Sequence, residues 1–243
     1  MNICDRLAGW VRWLFPSRAE RKRRLARQRL ARLVADTENN VSVHPDDFDR
    51  VKISMAGKGN TIRIGKLRDG QGIVSLRIFG NGCRIDIAED VLVCRDLTVV
   101  LGMNHPHHGA IEDAAFTLGS DVRVEDCKAC VLTSHGRIEV GSGGQISVGV
   151  TLYNTDAHPV YRLGSDKPVN RARTLHVGDH VWIGAHVTVL KNAYIPDDCI
   201  VGWGSVVTGR FEHPHCALGG NPAKVIAEGI TWGVNDPRYL AGE

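Results

Sequence analysis

Residues 177–212 read VGDHVW-IGAHVT-VLKNAY-IPDDCI-VGWGSV-VTGRFE, and an apolar residue opens every block: Val177, Ile183, Val189, Ile195, Val201 and Val207. Four residues after each comes a second, mostly small side chain: Val181, Val187, Ala193, Cys199, Ser205 and Phe211. A period of six matches neither a 3.6-residue helix nor the two-residue alternation of strands joined by arbitrary turns. It matches a chain that makes a short strand, turns a corner and repeats, so that equivalent positions stack in one prism-shaped core. The expected fold is an all-β solenoid, a parallel β-helix of hexapeptide repeats.

The pattern extends upstream in pieces. Ile87, Val93 and Val99 are six apart, as are Leu118, Val124 and Cys130, and then Val140, Ile146 and Leu152. Interruptions at 102–116 and 133–139 separate these blocks, so the early coils, from about residue 50, should be irregular and the late ones regular. Leu152 and Val177 lie 25 residues apart, which is not a multiple of six. Residues 153–176, YNTDAHPVYRLGSDKPVNRARTLH, must therefore leave the prism as a loop, and long loops on rigid scaffolds tend to carry function. After Glu212 the period decays through Pro214, Gly219-Gly220 and Asn221-Pro222, and residues 223–228 read as a short capping helix. The expected division is a basic helical arm and linker over 1–49 and a β-helix domain over 50–243, with the excursion loop at 153–176 and a C-terminal cap.

The 243 residues are 43% hydrophobic, ample for a core, and 27 glycines suit many tight corners. No apolar run approaches the ~18 to 20 residues that span a bilayer. Asp5, Arg6 and Arg12 interrupt what a signal peptide would keep apolar, so a cytoplasmic location is expected. Seven cysteines are an odd, scattered count, which argues against a disulfide framework. Cys127 and Cys130 form a lone CxxC without the second pair a zinc site needs, and the extended register makes Cys130 an inward core residue. No metal is expected. His105, His107 and His108 lack a suitably spaced carboxylate or cysteine and read as a loop lining an acceptor groove.

The net charge of +3 hides an asymmetry: residues 1–35 carry ten Lys/Arg against Asp5 and Glu20, a charge of +8, which leaves −5 for the rest. Leu7, Trp10, Val11 and Leu14 mark one apolar helical stripe, and Pro16 ends it. Ser17 and Glu20 then form a capping box for a second helix, with Arg21-Lys22-Arg23-Arg24, Leu25, Leu30, Leu33 and Val34. Two readings stand side by side. The arm lies on an anionic membrane, placing the protein at the inner membrane's periphery, or grips an acidic polymer; or its stripe packs on the main domain or on a neighbouring subunit. Nucleic acid is not an expected partner.

Several motifs add a family to this reading. They are Thr155-Asp156-Ala157-His158-Pro159, then Val177 to Gly184, Gly202 to Thr208 (GWGSVVT), Gly219 to Ile226 (GGNPAKVI) and Gly229-Ile230-Thr231-Trp232. The stretch from Leu152 to Trp232 resembles the left-handed β-helix acyltransferases, and more narrowly the bacterial O-acetyltransferases that modify capsule, lipopolysaccharide or sialic-acid sugars. The resemblance, not the spacing, implies left-handed winding, an exception to right-handed crossovers. It also implies a homotrimer with active sites between subunits, acetyl-CoA as donor and a carbohydrate acceptor, including acidic polysaccharide. With no protein nucleophile in the motif, the transfer would be direct, in a ternary complex.

The site residues follow from that chemistry. Attack by a sugar hydroxyl on a thioester requires removal of the hydroxyl proton, and an imidazole with an ordinary pKa of ~6.5 suits the task. His158, in the excursion loop, is the expected base, with Asp156 fixing its tautomer. Trp182 sits at a corner where a core residue does not belong, and the resemblance implies that it borders the donor site. Gly184, Ala185, Gly202, Gly204 and Ser205 leave one edge without bulk, so that a pantetheine arm can approach the backbone, where one N–H would stabilise the oxyanion. Lys191, and Asn221 and Lys224 of the NPAK segment, are candidates for the nucleotide phosphates of the donor. Three other readings remain: an N-acetyltransferase of amino sugars, a γ-carbonic-anhydrase-like zinc protein suggested by the shared hexad position of His180 and His186, and a non-catalytic scaffold.

Overall fold

The structure is a computed structural model that describes residues 18–103 and 109–234. The stripe at 7–14, Pro16, the Ser17 cap and the histidines at 105, 107 and 108 lie outside those residues. Seven parallel strands form one face of the prism: Asn40–Val43, Thr61–Ile64, Arg84–Ile87, Ala115–Leu118, Arg137–Val140, Thr174–Val177 and Tyr194–Ile195. Their register stacks Val43, Ile64, Ile87, Leu118, Val140, Val177 and Ile195 in one aliphatic ladder. Fully burying each such side chain contributes about 1.5–3 kcal/mol. Repetition of this term along the ladder favours coiling over any helical alternative.

In the late coils each strand pairs with the strand three hexads on: Val177 with Ile195, Ile183 with Val201, Val189 with Val207. One turn of the coil therefore has three faces, and the hexad is one face plus one corner. Every block-opening residue from Val177 to Val207 is buried, as are Val181, Val187, Ala193, Cys199 and Ser205, with Phe211 partly buried against them. The corners share a backbone solution. His180, His186, Asn192, Asp198 and Gly204, again six apart, all have φ between 50° and 68°. Left-handed backbone costs an L residue roughly 1 kcal/mol or more, least for Gly, Asn and Asp. The equal spacing of His180 and His186 thus comes from corner geometry: His180 is held by Asp198 (Nδ1 to Oδ1, 2.8 Å) and His186 lies against Trp203.

Three expectations are corrected. Among the described residues the first strand begins at Asn40, not near residue 50, because residues 40–43 continue the ladder at its open end. Residues 223–228 form a strand, not a helix. The Gly219–Pro222 turn, with a cis peptide before Pro222, folds Ala223–Glu228 antiparallel onto Cys216–Gly220, so the last coil's open edge is paired. Cys130 is buried but does not point into the core. Strand Arg123–Val131 rounds its corner in five residues, pairing Val124 with Ile146 but Ala129 with Leu152, so Ala129 and Val131 face inward and Cys130 lies beside Tyr153. Cys127 is the core thiol of the pair, and its burial pushes its pKa up.

The helix Arg18–Val34 docks on the first coils through Leu30, which is buried, and Leu33, over Val51 and Ile53. Arg27 and Asp49 add an ion pair at 2.7 Å. This agrees with packing on the main domain for that part of the stripe. Leu25, Arg24, Arg29 and Arg32 remain exposed. Among the described residues no helix is long and apolar enough to cross a membrane.

Candidate active site

The excursion occupies residues 154–173, between strands Val150–Tyr153 and Thr174–Val177. Asn154, fully buried, ties its two ends together. Its Nδ2 donates to the carbonyls of Arg137 (2.7 Å) and Arg173 (2.9 Å), and its Oδ1 accepts from the N–H of Asn192 (3.2 Å). A buried amide with all these groups matched is costly to replace. Thr155, also buried, accepts the Ala157 N–H at 2.9 Å, and Ala157 takes φ 60°. That turn delivers His158 to the surface.

The returning limb of the loop then clamps His158 through its main chain. Asn170 donates from Nδ2 to Asp156 Oδ2 (2.7 Å) and to the His158 carbonyl (2.9 Å), and its Oδ1 accepts the Val160 N–H (2.8 Å). The His158 N–H donates to the Asp156 carbonyl at 2.6 Å. Its imidazole is exposed and makes no hydrogen bond to any described residue. A ring fixed at its base with both nitrogens open is suited to proton transfer with a bound hydroxyl. Asp156 lies close by, yet its carboxylate is taken by Asn170 and by Lys191 Nζ (3.1 Å). Within the chain Asp156 and Lys191 thus brace the loop: the carboxylate does not hold the imidazole, and the lysine does not stand alone.

A second feature lies at the next corner of the prism. A groove of about 470 Å³ is lined by Trp182, Gly184, Ala185, Gly202 and Trp203, together with Arg95, Glu125 and Ser147. The Trp182 indole N–H donates to Ser147 Oγ at 3.3 Å, and its ring meets Trp232 at 6.0 Å. Trp232 in turn stacks on His180 at 4.5 Å and donates to the His180 carbonyl. Trp203 stands 73% exposed at the groove's mouth. The guanidinium of Arg123 holds the Glu125 carboxyl below the usual range.

The glycines divide by role. A Cβ on Gly184 would sit 2.7 Å from the Val201 carbonyl oxygen, so coil stacking itself demands glycine, whereas Gly202 has room, its nearest atom 3.5 Å away. Gly204 is a corner residue, and Ser205 is interior: its Oγ donates to the Gly202 carbonyl (2.7 Å) and accepts the Gly220 N–H (3.2 Å). Asn221 and Lys224 are exposed on the terminal hairpin, Lys224 opposite Gly219.

The structure therefore gathers Trp182, Gly184, Ala185 and Gly202 into one groove, and His158, Asp156 and Lys191 into another cluster on a different corner. Sequence reasoning missed Trp203, Ser147 and Asn170. Trp203, between two glycines at an outward hexad position, carries the same signal that marked Trp182. Asn170 carries none, because its contacts exist only once the loop closes on itself through the Val169 N–H to Val160 carbonyl bond (2.8 Å).

No protein-family model matches the chain. It is 30% identical to the polysialic acid O-acetyltransferase of Neisseria meningitidis over 184 residues, 75% of this chain and 79% of that protein. With the polysialic acid O-acetyltransferase of Escherichia coli O1:K1 it shares 29% identity over 113 residues, 46% of this chain and 36% of the relative. Among solved structures, the polySia-specific acetyltransferase NeuO (TM-score 0.59, 24% identity, 77% of this chain and 84% of that one) shares the left-handed β-helix fold. So does the polysialic acid O-acetyltransferase OatWY (TM-score 0.56, 24% identity, 82% and 89%).

Proposed function

This chain belongs to the left-handed β-helix O-acetyltransferases that include polysialic acid O-acetyltransferase, and from that premise we propose that it moves the acetyl group of acetyl-CoA to a hydroxyl of an acidic bacterial surface polysaccharide. The observation that carries the reading is His158, clamped by its backbone with its ring left open. In the proposed reaction the imidazole takes the hydroxyl proton as the sugar oxygen attacks the thioester carbonyl. The tetrahedral intermediate collapses, the C–S bond breaks, and the imidazolium returns its proton to the departing CoA sulfur. A backbone N–H along the groove edge would stabilise the oxyanion.

The donor would lie along Gly184, Ala185 and Gly202 between Trp182 and Trp203, with Asn221 and Lys224 near its phosphates. Base and groove occupy different corners of one prism, which supports a homotrimer in which His158 of one subunit serves its neighbour's groove. Gly204 and Ser205 shape the corner behind that groove, and Asp156 and Lys191 keep the base's loop in place. The exposed arginines of the arm suit docking to an anionic surface on the cytoplasmic side of the membrane.

The test is incubation with acetyl-CoA and oligosialic acid, following thiol release and the polymer's mass. A gain of acetyl groups that mild base removes supports O-transfer, a base-stable gain means N-transfer, and donor binding without transfer to any sugar contradicts the reading.

A further inference from the structure

Where the excursion loop rejoins the prism, a groove of about 750 Å³ is lined by Arg171, Arg173, Arg210 and Asn192, and no acidic side chain lines it. Arg171 and Arg173 form no ion pair with a described residue, and all three arginines are exposed. Their backbone is nevertheless fixed. Asn192 Oδ1 accepts the Arg173 N–H at 2.6 Å, Asn192 Nδ2 donates to the Arg171 carbonyl at 3.0 Å, and Asn154 holds the Arg173 carbonyl at 2.9 Å. The Arg210 guanidinium lies 4.8 Å over the Tyr194 ring, which itself stacks on His176 at 4.6 Å. Three like charges are thus held together on an anchored frame with their forks unspent, an arrangement that suits planar anions.

Position says which anion. Asn192 follows Lys191, and Lys191 pairs with Asp156, two residues before His158. The arginine groove therefore adjoins the brace of the base's loop, while the Trp182 groove lies at another corner of the prism. We propose that this groove is an anionic subsite for the acceptor, in which the guanidiniums pair with carboxylates of the sugars flanking the one presented to His158. The proposal rests on the acetyltransferase reading above. A polymer with a carboxylate on each residue would meet several arginines at once, whereas a single or neutral sugar gains little.

The experiment compares wild type with two triple variants, Arg171→Gln/Arg173→Gln/Arg210→Gln and the same three positions changed to Lys. Calorimetry at low salt measures oligosialic acid and, separately, acetyl-CoA. The expected result is a loss of ~10-fold or more in polymer affinity for the Gln variant, as charge-assisted pairs are removed. The Lys variant should keep most of the affinity, added salt should weaken wild-type binding, and acetyl-CoA affinity should not move. Matching thermal midpoints establish that both variants fold. Undiminished polymer binding in the Gln variant overturns the subsite. So does a loss confined to acetyl-CoA, which would assign the arginines to the donor's phosphates. A wild type that binds the polymer without transferring acetyl contradicts the acetyltransferase reading and leaves the subsite standing. One that acetylates a neutral sugar without binding the polymer does the reverse.

Discussion

Replacing Asn170 by Ala removes the clamp on His158 without touching the imidazole. Three hydrogen bonds go: Nδ2 to Asp156 at 2.7 Å, Nδ2 to the His158 carbonyl at 2.9 Å, and the Val160 N–H to Oδ1 at 2.8 Å. Each is worth about 0.5–1.5 kcal/mol net, toward the lower end here because water can compete, so the clamp contributes about 2 kcal/mol. The loop lies outside the aliphatic prism, so the loss is local rather than global. At 1.4 kcal/mol per factor of ten, the ratio of clamped to open loop falls by about 30-fold, and turnover should drop by ~5- to 30-fold. Steady-state kinetics against both substrates, a thermal melt and limited proteolysis within 160–169 make the assay. The expected result is lower kcat, little change in the KM for acetyl-CoA, a thermal midpoint within about 2 °C of wild type, and faster cleavage in the loop. Unchanged kcat with a more cleavable loop would refute the idea that this clamp sets the base. A global loss of stability matching the loss of turnover would refute the claim that the effect is local.

Other perturbations test other parts. Trp203→Ala strips the exposed aromatic wall from the groove proposed for the donor and should raise the KM for acetyl-CoA by ~5- to 30-fold, from about 1–2 kcal/mol of lost contact, with kcat within about twofold; an unmoved KM would place the donor elsewhere. Gly184→Ala puts a methyl 2.7 Å from the Val201 carbonyl and should cost about 1–3 kcal/mol in urea unfolding. Gly202→Ala, with 3.5 Å of clearance, should stay within about 0.5 kcal/mol of wild type; equal effects at the two glycines would be inconsistent with this packing. At Ala157, with φ 60°, Gly should keep turnover within about twofold while Val, crowded in left-handed backbone, should lose it as Asn170→Ala does. Kinetics of that pair, with the order reversed, would count against the turn.

The regular coils were legible because the same stacking enforces the six-residue period at every turn, and each block-opening residue from Val177 to Val207 is both aliphatic and buried. The loop was legible as a break in that period, and Trp182 as an aromatic where the period calls for none. What failed was local. At Cys130 the corner closes in five residues, which counting by six cannot register. At 223–228 the helical reading took no account of an unpaired strand edge, which only the finished solenoid presents. Asp156 and Lys191 pair with each other across the loop's base, a contact that no spacing in the sequence encodes. Asn170 and the arginine groove depend on how the loop folds back, and no periodicity encodes that.

The central claim, that His158 is the proton acceptor in acetyl transfer, is most directly tested by measuring turnover and acetyl-CoA affinity side by side in His158→Ala. The account predicts turnover lowered by ~10²–10⁴ with donor affinity unchanged. Near-normal turnover in that variant would contradict it.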